Sequence, residues 1–391
     1  MLGASAAGAA AAGPLDPSLT LEARASIKRA ASFLGKAQQP DGGWCESPAV
    51  TALAATALLG TGAPEDSPCA TAARKALDYI RAAARPDGAI GEELYPTYST
   101  SVCVMALIEA GAEQDEELIG RAKTFLLGVQ ADEAEGLDAS GPDFGGWGYE
   151  PGAGEARRAD LSNTQFALEA VRALESVAEE DTAATATGEA RSGGTELAYE
   201  RAIEFLQRCQ NLQATNDQPW ASNDGGFVYR PGESKAGATP EGGLRSYGGM
   251  TYAGLKSMVY ARLSKADRRV QAAYDWVRRN WTVQENPGLG QQGLYYYYLT
   301  MARALHAYGD DVIVDAAGNE HNWRAELLSE LLRVQQADGS WVNANGRWME
   351  GIPELATAYA VLAIEHATAS RQEEEAEEGA GAGAVDTGPT S

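Results

Sequence analysis

Apolar residues recur at helical spacing in twelve segments of the chain, separated by Gly, Pro and Asp turns. Apart from short turn-flanking pieces, no stretch alternates apolar and polar residues as a half-buried strand does. The segments are of two kinds. Those over about 21–38, 69–85, 118–130, 197–213, 265–281 and 322–336 carry a charged face, as with Arg201, Glu204 and Arg208 beside Ile203, Phe205 and Leu206. Those over about 48–60, 96–110, 160–175, 247–263, 291–308 and 352–367 are apolar nearly all round, as from Val50 to Ala57. A helix with a charged stripe faces water, and one without a polar face is buried. Six alternations predict an all-α fold, an α/α toroid of six helical hairpins in which the apolar helices form the inner ring. Each hairpin then completes its neighbour's core.

The turns repeat as well. Gln38-Gln39-Pro40-Asp41-Gly42-Gly43-Trp44 returns as Gln335-Gln336-Ala337-Asp338-Gly339-Ser340-Trp341. The segment Asp143 to Gly152 matches Asp224 to Gly232 with one gap, each ahead of an inner helix. A threonine recurs early in the inner helices, at Thr51, Thr164, Thr251 and Thr357. All inner-helix N-termini therefore gather at one rim, where free N–H groups favour anions or polar groups.

These Gln…Asp-Gly-x-Trp ends resemble the QW motifs of squalene–hopene cyclases, within the terpenoid cyclase and protein prenyltransferase superfamily. The stronger copies are 33–44 and 331–341; the weaker are 79–91, with Ile90 for Trp, 125–147 and 205–227. The resemblance covers about 21–367 and implies the toroid. The cyclases carry a D-x-D-D-T-A segment whose middle Asp protonates an alkene. Here the matching stretch is Asp160-Leu161-Ser162-Asn163-Thr164-Gln165, with Ser162 in the proton donor's place and Asn163 beside it. A hydroxyl cannot supply the strong acid that step needs. The prenyltransferases hold zinc with Asp, Cys and His, but His306, His321 and His366 lie beside no D-x-C pattern. Neither a metal nor another cofactor is expected.

A central aromatic cavity is the expected ligand site. Tyr295, Tyr296, Tyr297 and Tyr298 point in four directions on one helix, so one or two face the axis. With Trp147, Phe166, Tyr247 and Tyr252 they are candidates to line it, and Ser162 and Asn163 to touch the ligand. Ring faces of this kind stabilise cations and also stack on sugars. The bland reading of the same aromatics is core packing. Asp160 is first a good N-cap candidate and, beyond that, a candidate catalytic acid or ligand-orienting group. Paired with Glu354 it offers two carboxylates for glycoside cleavage. Glu350, Arg245 and Lys256 are further groups that could reach the rim or axis. Asp310-Asp311-Val312-Ile313-Val314-Asp315 reads as an acidic turn.

A net charge of −24 over 391 residues argues against nucleic acid as a partner. No apolar run is long enough for a membrane-spanning helix. The four cysteines lack CxxC spacing. Residues 1–20 form a leader whose small apolar start, Met1 to Gly13, resembles part of an export signal, which favours an exported or periplasmic location over a cytoplasmic one. The toroid is expected over 21–368 with a loop insertion at about 176–196, and an acidic solvated tail over 369–391. The leading functional expectation is a terpene cyclase-like protein binding a polyisoprenoid or other small apolar molecule. The rivals are a non-catalytic exported scaffold holding a protein partner on the rim, and a polysaccharide-acting α/α barrel.

Overall fold

The computed structural model of the chain describes residues 15–91, 94–149, 158–183 and 192–369. Its helices alternate between an outer and an inner layer. The outer set is α1 (Pro17–Ala37), α3 (Pro68–Ala82), α5 (Glu116–Gly128), α7 (Ser192–Cys209), α9 (Arg268–Arg279) and α11 (Trp323–Val334). The inner set is α2 (Pro48–Leu59), α4 (Pro96–Ala110), α6 (Leu161–Ala183), α8 (Gly248–Tyr260), α10 (Leu294–Tyr308) and α12 (Pro353–Thr368). Each inner helix packs on the next, and α12 returns to α2, closing the ring. Outside it, α1 packs on both α3 and α11. The chain is an α/α toroid.

Burial follows the predicted contrast. In α2 every residue is buried except Thr56 and Leu59, whereas α9 buries only Val270, Ala273, Trp276 and Val277. Proline opens α1, α2 and α3 behind the capping residues Asp16, Ser47 and Ser67, whose side chains accept N–H groups of the first turn. With Asp16 as cap, α1 starts inside the stretch read as leader. Helix α6 runs on to Ala183 and α7 begins at Ser192, so the described parts of the expected 176–196 loop, 176–183 and 192–196, are helical. Residues 1–14, 184–191 and the acidic tail from 370 lie outside the described residues. A two-stranded hairpin, β1 (Val312–Val314) with β2 (Glu320–Asn322), holds the acidic turn. There Asp310 pairs with Lys265 at 2.7 Å and Asp311 with Arg324 at 3.0 Å. Among the described residues no helix is long and apolar enough to cross a membrane.

The repeated turns are the joints of the ring. Gln38 Nε2 donates to the carbonyl of Gly42 in its own turn and of Ala72 on the next outer helix, both at 2.8 Å. Gln130 and Gln210 repeat this bridge to Ala198 and Arg269. Gln335 completes the circle by donating to Gly339 at 2.9 Å and to Ser26 of α1 at 3.0 Å. The turn glycines are required: Gly42 and Gly339 have φ of +94° and +95°, and a Cβ at either would lie 2.5 Å from a carbonyl of the adjoining helix. Trp44, Trp147 and Trp341 then fold inward, their indole N–H groups donating to Leu34, Leu126 and Leu331.

The recurring threonine locks each turn onto its inner helix. The N–H groups of Trp44, Trp147, Phe227 and Trp341 donate to the hydroxyls of Thr51, Thr164, Thr251 and Thr357 at 3.0–3.1 Å. Thr100 does the same for Ile90 at 2.9 Å. In α10 Tyr298 holds the threonine's place, its hydroxyl donating to Val283 at 2.7 Å. Trp341→Ala should therefore cost about 3–5 kcal/mol in urea unfolding, through the emptied core and the lost bond to Leu331. An unchanged unfolding midpoint would remove Trp341 from its role as a joint.

Candidate functional site

Because the threonines face outward to the turns, residues two before, two after, five after and nine after them face the barrel axis, at 100° per residue. That register writes the axis as layers. Nearest the rim of helix N-termini stand Tyr98, Ser162, Gly249 and Tyr296, then Phe166 and Tyr359. The rings meet edge to face: Tyr98 on Phe166 with centroids 5.1 Å apart, Phe166 on Tyr296 at 6.2 Å and Tyr296 on Tyr359 at 6.2 Å. The hydroxyls of Tyr98 and Tyr359 lie 3.2 Å apart. Phe166 and Tyr359 are buried, whereas Tyr98, Tyr296 and Ser162 are half-buried and face the mouth.

The mouth itself is apolar. Of the eight large exposed hydrophobics among the described residues, Leu94, Tyr95, Tyr149, Trp348 and Met349 lie in or at the ends of connections entering the inner helices at this rim. Trp348 and Met349 are held outward with φ of 56° and 67°, a left-handed conformation that costs side-chain-bearing residues free energy. Two bulky apolar residues are thus kept in water by a strained backbone.

Several expected site residues lie elsewhere. Trp147 is fully buried between helices as a ring joint and does not line the axis. Of the tyrosine run only Tyr296 faces inward. Tyr297 and Tyr298 turn outward, donating to the carbonyls of Thr282 and Val283 at 2.6 and 2.7 Å, and Tyr295 packs on Tyr298. Tyr252 packs edge-on against Tyr297 at 5.6 Å, also off the axis. Tyr247 is buried at the N-terminus of α8 near Tyr296. Tyr98 and Tyr359 escaped the sequence reading, although aligning the inner helices on their threonines places both beside Phe166.

Asp160 is the N-cap of α6. Its Oδ1 accepts the Asn163 N–H at 2.9 Å and its Oδ2 the Asn163 amide at 2.8 Å, with the Tyr229 hydroxyl as a further donor. Burial raises its pKa to about 6, only partly offset by these bonds. Ser162, in the proton donor's place, accepts from the Tyr296 hydroxyl at 3.4 Å, and Gln165 donates to that hydroxyl at 3.4 Å. Among the described residues Gln165 Oε1 and Asn163 Oδ1 are buried without a partner. Glu354 sits half-buried in the first turn of α12, three places round the ring from α6, and no hydrogen bond or ion pair links it to Asp160. Glu350, fully buried, instead caps α10, accepting the Tyr296 N–H at 2.8 Å and the Asn343 amide at 2.7 Å.

Below the aromatic layers the axis becomes charged. Lys256 and Arg303 both donate to Glu169, and Arg303 Nε donates to His366 at 3.2 Å. Burial pulls Lys256 down to about 8 against the opposing charge of Glu169. Burial pushes Glu169 upward, but Arg303 and Lys256 together bring it below the usual carboxylate range. Burial, with the Arg303 charge, holds His366 well below the usual range.

No protein-family model matches the sequence, and no curated protein does. In structure the chain is similar to the type II terpene cyclase MstE from Scytonema. A variant bound to geranylgeranyl dihydroxybenzoate, its substrate, superposes with a TM-score of 0.54 at 15% identity, covering 90% of this chain and 99% of that one. A variant bound to merosterolic acid A, its product, gives 0.51 at 14%, covering 90% and 98%. A family 76 glycoside hydrolase from a bovine Bacteroides thetaiotaomicron strain gives 0.53 at 12%, covering 88% and 78%. The chain therefore has the terpenoid cyclase-like toroid fold, one shared with glycoside hydrolases.

The raised pKa of Asp160 has a testable sign. The folded protein binds this proton more tightly than the unfolded chain, whose aspartate titrates near ~3.9. Stability from this group is therefore lost as pH rises from about 4 through about 6. Asp160→Asn retains a capping oxygen and should gain on the order of 2 kcal/mol on the wild type between pH 4 and pH 7. Paired urea titrations check it; a difference flat in pH would mean that Asp160 ionises as it does in water.

Proposed function

We propose that the protein binds an elongated apolar molecule, isoprenoid-like in character, which enters at the rim of inner-helix N-termini and lies against Tyr98, Phe166, Tyr296 and Tyr359. The observation that carries this reading is the apolar mouth. Exposed Leu94, Tyr95, Tyr149, Trp348 and Met349 lie at the same rim as the half-buried rings of Tyr98 and Tyr296. Clustered exposed apolar surface marks a binding site. Cyclase neighbours solved with a prenylated substrate and with a product give the same fold a precedent for such cargo.

Cyclisation started by protonating an alkene does not fit the residues. Ser162 stands where the acid is needed, and Asp160 is a cap whose burial makes it a weaker acid. Lys256 and Arg303 beneath the rings would also oppose a developing carbocation. Glycoside cleavage by Asp160 with Glu354 is disfavoured because both Asp160 oxygens are engaged in the cap. The reading is therefore a binding protein, with any chemistry carried by groups other than the cyclase acid.

Organic extraction and mass spectrometry of protein purified from its native host should yield a stoichiometric isoprenoid-like lipid absent from a mock purification. Phe166→Ala should weaken binding of added geranylgeraniol at least tenfold with the circular dichroism unchanged. If no lipid is recovered and geranylgeraniol does not bind, the apolar reading fails. A stoichiometric protein partner in that preparation would then favour the scaffold.

A further inference from the structure

Four of the six boundaries between hairpins carry the glutamine bridge: Gln38, Gln130, Gln210 and Gln335 each donate to a carbonyl of the next outer helix. The other two lie three places apart in the ring of six, and so on opposite sides. Between the second hairpin (α3, α4) and the third (α5, α6) the turn keeps its shape. Arg85 donates to Ala89 and Gly88 to Arg85, as Gln39 donates to Gly43 and Gly42 to Gln39. Ala84, however, stands where Gln38 does and has no amide to give. Between the fifth hairpin (α9, α10) and the sixth (α11, α12), Asn280 follows the outer helix. Its amide donates to Trp276 of that same helix at 2.8 Å.

What else crosses these two seams differs. The fifth–sixth seam is tied by polar bonds: Glu350 accepts the Tyr296 N–H at 2.8 Å, Asn343 donates to Gln291 at 2.7 Å, and Trp281 Nε1 donates to Glu326 at 2.9 Å. The second–third seam is crossed on the outside by Arg81 and Asp115, at 2.7 and 2.8 Å. On the inside it is crossed by ring edges, Tyr98 on Phe166 and, at the mouth, Tyr95 on Tyr149 with centroids 5.3 Å apart. Ring edges can part without orphaning a hydrogen-bonding group, whereas parting a glutamine joint orphans two carbonyls. A cavity of about 470 Å³ borders this seam, lined by Leu59, Ala73, Leu77, Arg81, Ala110 and Gln114. Another of about 370 Å³ borders the opposite seam, between Val283 and Gln284 and the α11 residues Glu326 and Ser329. Packing is therefore reduced at both seams that lack the glutamine.

We infer that the ring opens at the second–third seam and flexes at the opposite one. A closed ring can widen at one place only by bending at another, and the opposite seam is tied but not stiffened by a glutamine. Opening there carries Tyr98, with Tyr359 beside it, away from Phe166 and Tyr296, and so parts the rings whose contact closes the axis. The opening stands on the joints alone. Its use as the entry for a ligand rests on the apolar binding proposed above.

Native-state hydrogen exchange of the full chain reads the opening at five matched amides. The N–H groups of Trp44, Ile90, Trp147, Phe227 and Trp341 each donate to an inner-helix threonine, and only Ile90 lies in a turn without the glutamine. Corrected for intrinsic rate, Ile90 should exchange about tenfold faster than the other four, the worth of one hydrogen bond, and faster still in low urea. In each joint the bridged carbonyl lies three residues before the one that the turn glycine abuts, as Ala72 before Lys75. Gly88 abuts Arg121, so Ala84→Gln should bridge to Leu118 and slow Ile90 to the level of the others. Equal exchange at all five wild-type amides, or an Ile90 rate unmoved by urea, overturns the opening and leaves the apolar reading standing. Stopped-flow mixing with geranylgeraniol tests entry: Ala84→Gln should slow association and dissociation alike, about tenfold, at unchanged affinity. Equal association rates in the two proteins overturn the entry role. Absence of geranylgeraniol binding sinks the apolar reading and the entry role together, while the exchange rates still decide the opening.

Discussion

The ring depends on a glutamine side chain that satisfies two carbonyls on two different hairpins. In each such joint the amide group spans its own tight turn and the next outer helix. An unsatisfied buried carbonyl costs roughly 1–3 kcal/mol, comparable to the net worth of many packing contacts. Gln335 is the most consequential copy, since its bond to Ser26 joins the last hairpin to the first across 309 positions of sequence. Without such closure the six hairpins would form an open solenoid with two exposed apolar ends.

The same joints set the chemistry of the axis. A threonine on five of the six inner helices is tied to a turn N–H, which fixes the rotation of that helix about its own axis. Rotation decides which residues face inward, so Tyr98, Phe166 and Tyr359 meet although they lie far apart in sequence. Where Tyr298 replaces the threonine, its hydroxyl reaches the Val283 carbonyl instead and preserves the register. The inward direction of Tyr296, and the outward direction of the other three tyrosines, follow from that one substitution.

Electrostatics divide the axis in two. Above, rings with few charges give a surface suited to an apolar chain. Below, Lys256, Arg303 and Glu169 sit in a region of low dielectric where each charge is felt strongly. A core needing only stability would place apolar residues there, since replacing buried ion pairs by hydrophobic groups is often neutral or stabilising. Trp348 and Met349 at the mouth, both at positive φ and both exposed, are likewise a cost in free energy.

Much of the architecture was legible in the chain because it is periodic. The alternation of striped and fully apolar helices, the Gln-Asp-Gly-Trp turns and the threonines each repeat, and repetition reports local requirements for burial, positive φ and capping. The sequence by itself thus determined a six-hairpin toroid and made Phe166 and one or two of the four tyrosines candidates to face inward. It could not assign Trp147 to a joint, separate Tyr296 from its three neighbours, or set Asp160 apart as a cap, because these depend on helix rotation and on partners such as Tyr229. Nor could it bring Glu169, Lys256 and Arg303 onto one oxygen. They come from three hairpins, and only closure of the ring, which buries all three away from water, makes their unequal charges matter.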